Sequence, residues 1–260
     1  MNLDLSYTAP PVPDQVDEEI HKHYRLQTWA MRGSAGDKVL VDAYVPSQVD
    51  RIVLMSHGAD NSRKARYIEV SGKSFTRHRT AVVSMDAPFH GDRSDSRDLD
   101  GPVGTLVDVL ERWVKDHRRL LDIIESHWPG LPTGLAGFSM GGLYGVPLVA
   151  ADSRIQSVAV VIAGSTRVSY PIRFGPLDDP TREALELTDP VGHAANVGDR
   201  PVLVLNADED EIVPREAAIA LYDAFVGAKE LVFMPGTHTE WVHAARWFRR
   251  LETFFTETLR

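Results

Sequence analysis

Residues 134–151 read GLAGFSMGGLYGVPLVAA, and the fold turns on how that stretch divides. Gly134 to Phe138 is a short apolar run of strand character, and Met140 to Ala151 is a longer run that favours helix. Between them lies Gly137-Phe138-Ser139-Met140-Gly141, a G-x-S-x-G spacing. A serine on a tight strand-to-helix turn is held in a strained backbone conformation, with its hydroxyl exposed above the sheet edge. The positions two before and two after must lack side chains so that the turn can close. The new helix also aims its free N–H groups toward charge that develops beside the hydroxyl. Ser139 is therefore the candidate nucleophile, and Met140, directly after it, the first candidate oxyanion donor through its backbone N–H.

Working outward, the same alternation repeats. Arg51 to Ser56, Thr80 to Met85, Ser157 to Ala163, Pro201 to Asn206 and Glu230 to Met234 are short, apolar and rich in β-branched residues. Such runs fit strands buried on both faces, as in a parallel sheet. Helical patterns fall between them: Lys64 to Arg79, Thr105 to Glu125, Arg215 to Val226 and Glu240 to Leu259. The second is the clearest, with Leu106, Val109, Leu110, Trp113, Leu120, Leu121 and Ile124 on one stripe. His23 to Met31 and Lys38 to Val45 mix polar and apolar residues, as a strand pair with one wet face would, and Gly33-Ser34-Ala35-Gly36 supplies the turn. Repeated β-α-β units predict an α/β fold with a doubly wound, mostly parallel sheet and helices on both faces.

One domain is expected over residues 23–260, preceded by an extended, Pro-rich arm over 1–22. Residues 165–200 contain no buried strand and read as a short lid, since a segment of that length between core strands usually covers or serves a site.

Length and composition narrow the function. The chain has 260 residues, 28 Lys+Arg against 37 Asp+Glu, a formal charge of −9 and no cysteine. Without thiols there are no disulfides, thiolate zinc sites, Fe–S clusters or cysteine nucleophile. The acidic balance argues against nucleic-acid binding, which needs a basic face. No secretory leader and no run of about 20 apolar residues stands out, so neither a membrane span nor export is expected, and a cytoplasmic location is the default.

A nucleophile needs a base, and the base an orienting acid. Asp208-Glu209-Asp210-Glu211 follows the run 201–206, and Pro235-Gly236-Thr237-His238 follows the run 230–234. Both sit at carboxyl ends of predicted strands, the edge where open α/β sheets build their sites. His238 is the candidate base; His243 lies inside a predicted helix and fits packing better. Asp86, His90, Asp92 and Asp95 read as turn chemistry, and His21 and His23 as surface residues, so no metal is expected.

With these motifs in place, the chain resembles the α/β-hydrolase superfamily. Within it, the similarity is to bacterial serine esterases related to prolyl-oligopeptidase-like and dienelactone-hydrolase-like enzymes. It rests on Ser56-His57-Gly58, Asp86-Ala87-Pro88-Phe89-His90-Gly91, the turn around Ser139, Ala207 to Pro214, and Pro235 to His238. It implies a sheet of about eight strands with a small lid. It also implies a Ser139–His238–Asp210 triad, with Asp208 as the alternative acid, and Ala59 N–H as the second oxyanion donor. Ala207 stands where the family's acid loop has glycine, which leaves the register unchanged. The dienelactone hydrolases proper use a cysteine at the position of Ser139, so their lactone chemistry is not carried over. The expected substrate is a small or medium carboxylic ester, cleaved through an acyl-enzyme without metal or organic cofactor. Tyr144, Tyr170, Phe174 and Trp241 are candidate pocket walls. Thioester, amide, acyl-transfer and perhydrolase chemistry on the same triad stay open, as does a non-catalytic binding protein of this fold. Nothing in the sequence sets an oligomeric state.

Overall fold

The β-branched runs on either side of residues 134–151 all become strands of one sheet. A computed structural model describes residues 3–9, 13–93, 104–240 and 245–260. In chain order the strands are β1 (Asp14–Ile20), β2 (Tyr24–Arg32), β3 (Lys38–Pro46), β4 (Arg51–Ser56), β5 (Thr80–Met85), β6 (Thr133–Phe138), β7 (Ile155–Val161), β8 (Val202–Ala207) and β9 (Lys229–Met234). They lie in the order β1-β2-β3-β5-β4-β6-β7-β8-β9. The first three and the β3–β5 pair run antiparallel; the rest of the sheet is parallel.

The helices are α1 (Arg66–Phe75), α2 (Gly104–His127), α3 (Met140–Ala151), α4 (Thr166–Phe174), α5 (Asp179–Thr188), α6 (Val191–Ala194), α7 (Arg215–Ala224) and α8 (Ala245–Thr258). Successive residues of β4 show how the sheet is covered. Ile52 and Leu54 join Leu110 and Trp113 of α2, Leu148 of α3 and Leu221 of α7 on one face. Val53 and Met55 join Ile68 and Phe75 of α1 and Phe255 of α8 on the other. Because side chains alternate along a strand, a continuous apolar run demands cover on both sides, and the helices supply it. Trp113, on the stripe expected of α2, is fully buried. Burying an aromatic of that size contributes on the order of 2–3 kcal/mol.

One expectation needs adjusting. Among the described residues the sheet has nine strands rather than about eight, and the extra one comes from the expected N-terminal arm. β1 is exposed along its whole length and carries Asp14, Asp17, Glu18 and Glu19, so it has no apolar alternation to betray it. Backbone pairing with β2 holds it in place, and its charges suit an edge strand, where they discourage further pairing. The segment between β7 and β8, expected as a lid, holds α4, α5 and α6. Among the described residues no helix is long and apolar enough to cross a membrane.

Candidate active site

Six consecutive parallel strands leave their carboxyl ends at one edge of the sheet, and the loops there hold the candidate site residues. At the end of β6 the chain reverses into α3 with no room to spare. A Cβ on Gly137 would sit 2.3 Å from the carbonyl oxygen of Gly141, and one on Gly141 would sit 2.4 Å from that of Ser56. Between these glycines Ser139 adopts φ 50° and ψ −113°, a conformation that costs a non-glycine residue about 1–3 kcal/mol. Three hydrogen bonds hold it. Ser139 N–H donates to Val161 O (2.8 Å), and Gly142 and Leu143 N–H donate to Ser139 O (2.8 and 3.0 Å).

The loops after β8 and β9 bring the other two groups to this hydroxyl. His238 Nε2 lies 3.1 Å from Ser139 Oγ, and His238 Nδ1 lies 2.9 Å from each oxygen of Asp210. A carboxylate can only accept, so Nδ1–H donates to Asp210 and Nε2 is left to accept from the serine hydroxyl. Asp210 is itself fixed: its Oδ1 also accepts from Ile212 N–H (2.9 Å) and Val213 N–H (2.8 Å), and its side chain is 1% exposed. Asp208, the alternative acid, is exposed and turned elsewhere. Its Oδ1 accepts from Gly236 N–H (3.1 Å), which ties the β8 and β9 loops together. Glu211 adds a second tie by accepting from His238 N–H (3.1 Å).

The loop after β4 supplies the wall opposite the imidazole. The buried His57 Nδ1–H donates to Gly58 O (2.8 Å), while its Nε2 accepts from Ala87 N–H (2.9 Å). Burial drives its pKa down to about 4, so the ring stays neutral and acts as a brace. Gly58 N–H donates to Tyr67 Oη (2.9 Å). That leaves the next N–H, on Ala59, and the N–H of Met140 with no protein acceptor among the described residues. The far end of the loop is anchored by Arg63, whose buried guanidinium meets Asp42 (3.1 Å), Asp86 (2.5 Å) and Asp92 (2.7 Å). Asp86 also accepts from the N–H groups of Arg63 and Asp92, which is the turn chemistry expected there; Asp95 lies outside the described residues.

Residues 47–177, just over half the chain, match the family model described as serine aminopeptidase, S33. The chain belongs to the serine aminopeptidase S33 family. It is a serine hydrolase of the α/β-hydrolase fold, and solved structures agree on the architecture. A cold-adapted esterase from an Arctic intertidal metagenomic library superposes with a TM-score of 0.77 at 25% identity, over 94% of this chain and 98% of that one. An acetyl xylan esterase from Paenibacillus sp. R4 gives 0.76 at 17% identity, over 94% and 89%. Est1E from Butyrivibrio proteoclasticus, solved with ferulic acid, gives 0.69 at 20%, over 86% and 96%. No curated protein sequence matches the chain. The matched family segment contains Ser139 and the Ala59 loop but ends before Asp210 and His238, so those two rest on the geometry of this chain.

In this S33 chain Ser139 and His238 face a cavity of about 610 Å³. Gly58 and Ala59 form one side of it, and Tyr67, Phe138, Ile162 and Ile212 supply apolar surface. The expected pocket aromatics are placed differently. Tyr144, on α3, is buried in the core edge-on to Trp113 and does not reach the cavity, because that helix is apolar all round and packs behind the sheet. Tyr170 and Phe174 stack edge to face on α4, 5.4 Å apart, and neither lines the cavity; Phe174 is 60% exposed. Trp241 and His243 lie outside the described residues. What α4 does present to the cavity is Arg173, and α1 presents Arg66. Neither arginine sits in a local motif that would mark it in the sequence. Ile162 was equally invisible: it lines the cavity at φ 45°, rare for a β-branched residue, and nothing in its sequence surroundings signals that.

Proposed function

We propose that this chain is a carboxylic-ester hydrolase that works through an acyl-enzyme on Ser139. The observation that carries the reading is the unbroken hydrogen-bonded series Ser139–His238–Asp210 with its serine end open to a cavity. His238 Nε2 takes the hydroxyl proton as Oγ attacks the ester carbon. Asp210, held by two backbone N–H groups, keeps Nδ1 protonated and stabilises the imidazolium that forms. Negative charge moves to the former carbonyl oxygen, where the N–H groups of Ala59 and Met140 are available to receive it. Such a donor is worth roughly 3–4 kcal/mol in the transition state. His238 then gives its proton to the leaving alkoxide. For the second half it activates a water against the acyl-serine, and the steps run in reverse order.

Support for an ester comes from the relatives described as esterases, and from a cavity of about 610 Å³, a size suited to small or medium substrates. Residues 165–200 act in this reading as a lid whose α4 helix walls the cavity through Arg173. The family's description brings in a second reading, release of an N-terminal amino acid. An N-terminal ammonium needs carboxylates around it, yet among the described residues the cavity wall offers only Asp60 against Arg66 and Arg173. Amide cleavage of that kind is disfavoured.

Ser139→Ala is expected to lower ester hydrolysis by at least about 10⁴-fold and to abolish labelling by a fluorophosphonate probe. A panel of matched ester, thioester and amide substrates, with an alcohol acceptor added, reads the reaction class. Undiminished turnover by Ser139→Ala, or amide turnover exceeding that of the ester, overturns the reading.

A further inference from the structure

Arg66 and Arg173 come from different elements, the first turn of α1 and the last turn of α4, and line the same cavity as Ser139 and His238. Both are exposed, and among the described residues neither has a carboxylate oxygen within 4.0 Å. Among the described residues Asp60 is the only acidic side chain on that wall, and it likewise has no ion-pair partner there. The Arg173 guanidinium carbon lies 4.9 Å from the ring centroid of Phe174, a cation–π contact, and its N–H donors have no hydrogen-bond acceptor among the described residues. The cavity continues into a second hollow of about 550 Å³ that shares Asp60, Asn61 and Arg66 and adds the exposed Lys64.

Three cations against one carboxylate is an inversion of the molecule's own balance, since the chain as a whole carries −9. The buried or half-buried Arg63, Arg93 and Arg154 are each held by two or more carboxylates, whereas Arg66 and Arg173, though they line the cavity, have none among the described residues. Two guanidinium forks that have no carboxylate partner among the described residues, in the cavity that holds Ser139, present donors in the geometry that a carboxylate or phosphate accepts. Low-dielectric walls such as Phe138 and Ile162 strengthen their field inside the cavity.

We infer that the substrate is an ester bearing an anionic group, and that Arg66 and Arg173 select it by binding that group while Ser139 attacks the ester carbon. The inference rests on the ester-hydrolase reading for its chemistry, but its anion site is testable apart from turnover. The two guanidinia act on binding, so their signature is in KM for the charged substrate.

The test uses two matched pairs, one for each side of the scissile bond. On the acyl side, 4-nitrophenyl hexanoate is compared with mono-(4-nitrophenyl) adipate. On the alcohol side, it is compared with 3-carboxy-4-nitrophenyl hexanoate. In at least one pair the anionic member is expected to have a kcat/KM at least about tenfold higher, as a charge-assisted hydrogen bond implies. In Arg66→Gln/Arg173→Gln that ratio falls to near one, mainly through KM. It also shrinks several-fold when ionic strength rises from about 0.05 to 0.5 M. Both side chains are exposed and hold no ion pair among the described residues, so the double variant keeps its fold. In parallel, adipate is titrated calorimetrically into Ser139→Ala with and without the two substitutions, and binding is expected only where the arginines are present.

A ratio near or below one in both wild-type pairs, or a preference that survives in the double variant, overturns the inference while leaving ester hydrolysis intact. Failure of the wild type to turn over any of these esters, with adipate still binding through the arginines, would instead sink the ester reading and keep the anion site.

Discussion

The floor and the wall of the cavity are built on opposite principles. On the floor the residues of the proposed triad are held by several partners. Asp210 accepts from two backbone N–H groups and an imidazole, and Ser139 is locked by the backbone on both sides. Arg66 and Arg173, on the wall, are exposed and without ion pairs among the described residues. A group that must move a proton within a few tenths of an ångström needs its geometry fixed before substrate arrives. A group that captures a substrate's charge is useful only while that charge has no internal competitor. The difference separates how the reaction is performed from what it is performed on.

The sharpest way to break the comparison is to remove a single charge from the floor. Asp210→Asn keeps the volume but can no longer require Nδ1–H, so the serine can lose its acceptor. The expected loss in kcat is about 10⁴-fold. Asp208→Asn changes a carboxylate only two residues away, but one that accepts from Gly236 N–H on an exposed loop. Its expected effect on kcat is below about fivefold, within the range of surface substitutions. Steady-state kinetics of the two variants against one ester decides the matter. Equal losses would mean that the β8–β9 loops act as a unit and the acid has no privileged position.

Much of the geometry of this floor was legible in the sequence because it follows from local pattern. Gly137 and Gly141 flank Ser139 at the spacing a closed turn demands, and His238 follows a run that becomes β9. The strands announced themselves too: Arg51 to Ser56 and Thr80 to Met85 are bounded in the fold where their apolar runs are bounded. What was not legible depends on partners distant in sequence. Edge strand β1 has no apolar period, and only pairing with β2 makes it a strand. Tyr144 reads like a pocket aromatic, yet α3 is buried behind the sheet and takes the ring with it. Arg173 carries no local motif, and joins the candidate site only because the fold brings it to the same cavity as Gly58 and Ala59.

The braces beneath the floor should make the fold sensitive to acid in a window set by histidines. Burial lowers His57 to about 4 and His117 to about 3, from an ordinary 6.5. Both rings are used as neutral groups, His117 donating from Nδ1 to Trp113 O and accepting from Ser56 Oγ. Unfolded, each would take up a proton below pH 6.5; folded, each resists. The unfolded chain therefore binds more protons between pH 6.5 and 4, and stability falls as pH drops through that range. The His57 contribution lost is about 3 kcal/mol. Urea midpoints from pH 7.5 to 4.5 are expected to decline for the wild type and to decline less steeply for His57→Gln. Parallel slopes would remove His57 as a titrating brace.

Tyr67 is the residue that belongs to both regions, and so gives the finest test of their separation. Its ring lines the cavity against Phe138 (4.6 Å), while its buried hydroxyl accepts from Gly58 N–H. Burial pushes the phenol up to about 12, so it stays protonated and neutral across any assay range. Tyr67→Phe preserves the wall's shape but leaves a buried N–H unsatisfied one residue before Ala59. That costs about 1–3 kcal/mol of local stability and loosens the segment that presents the Ala59 N–H. If fixed geometry belongs to the floor alone, kcat should fall by about tenfold while KM changes little. A loss carried by KM with kcat preserved would instead place Tyr67 with the arginines, as a residue that meets the substrate rather than one that holds the loop.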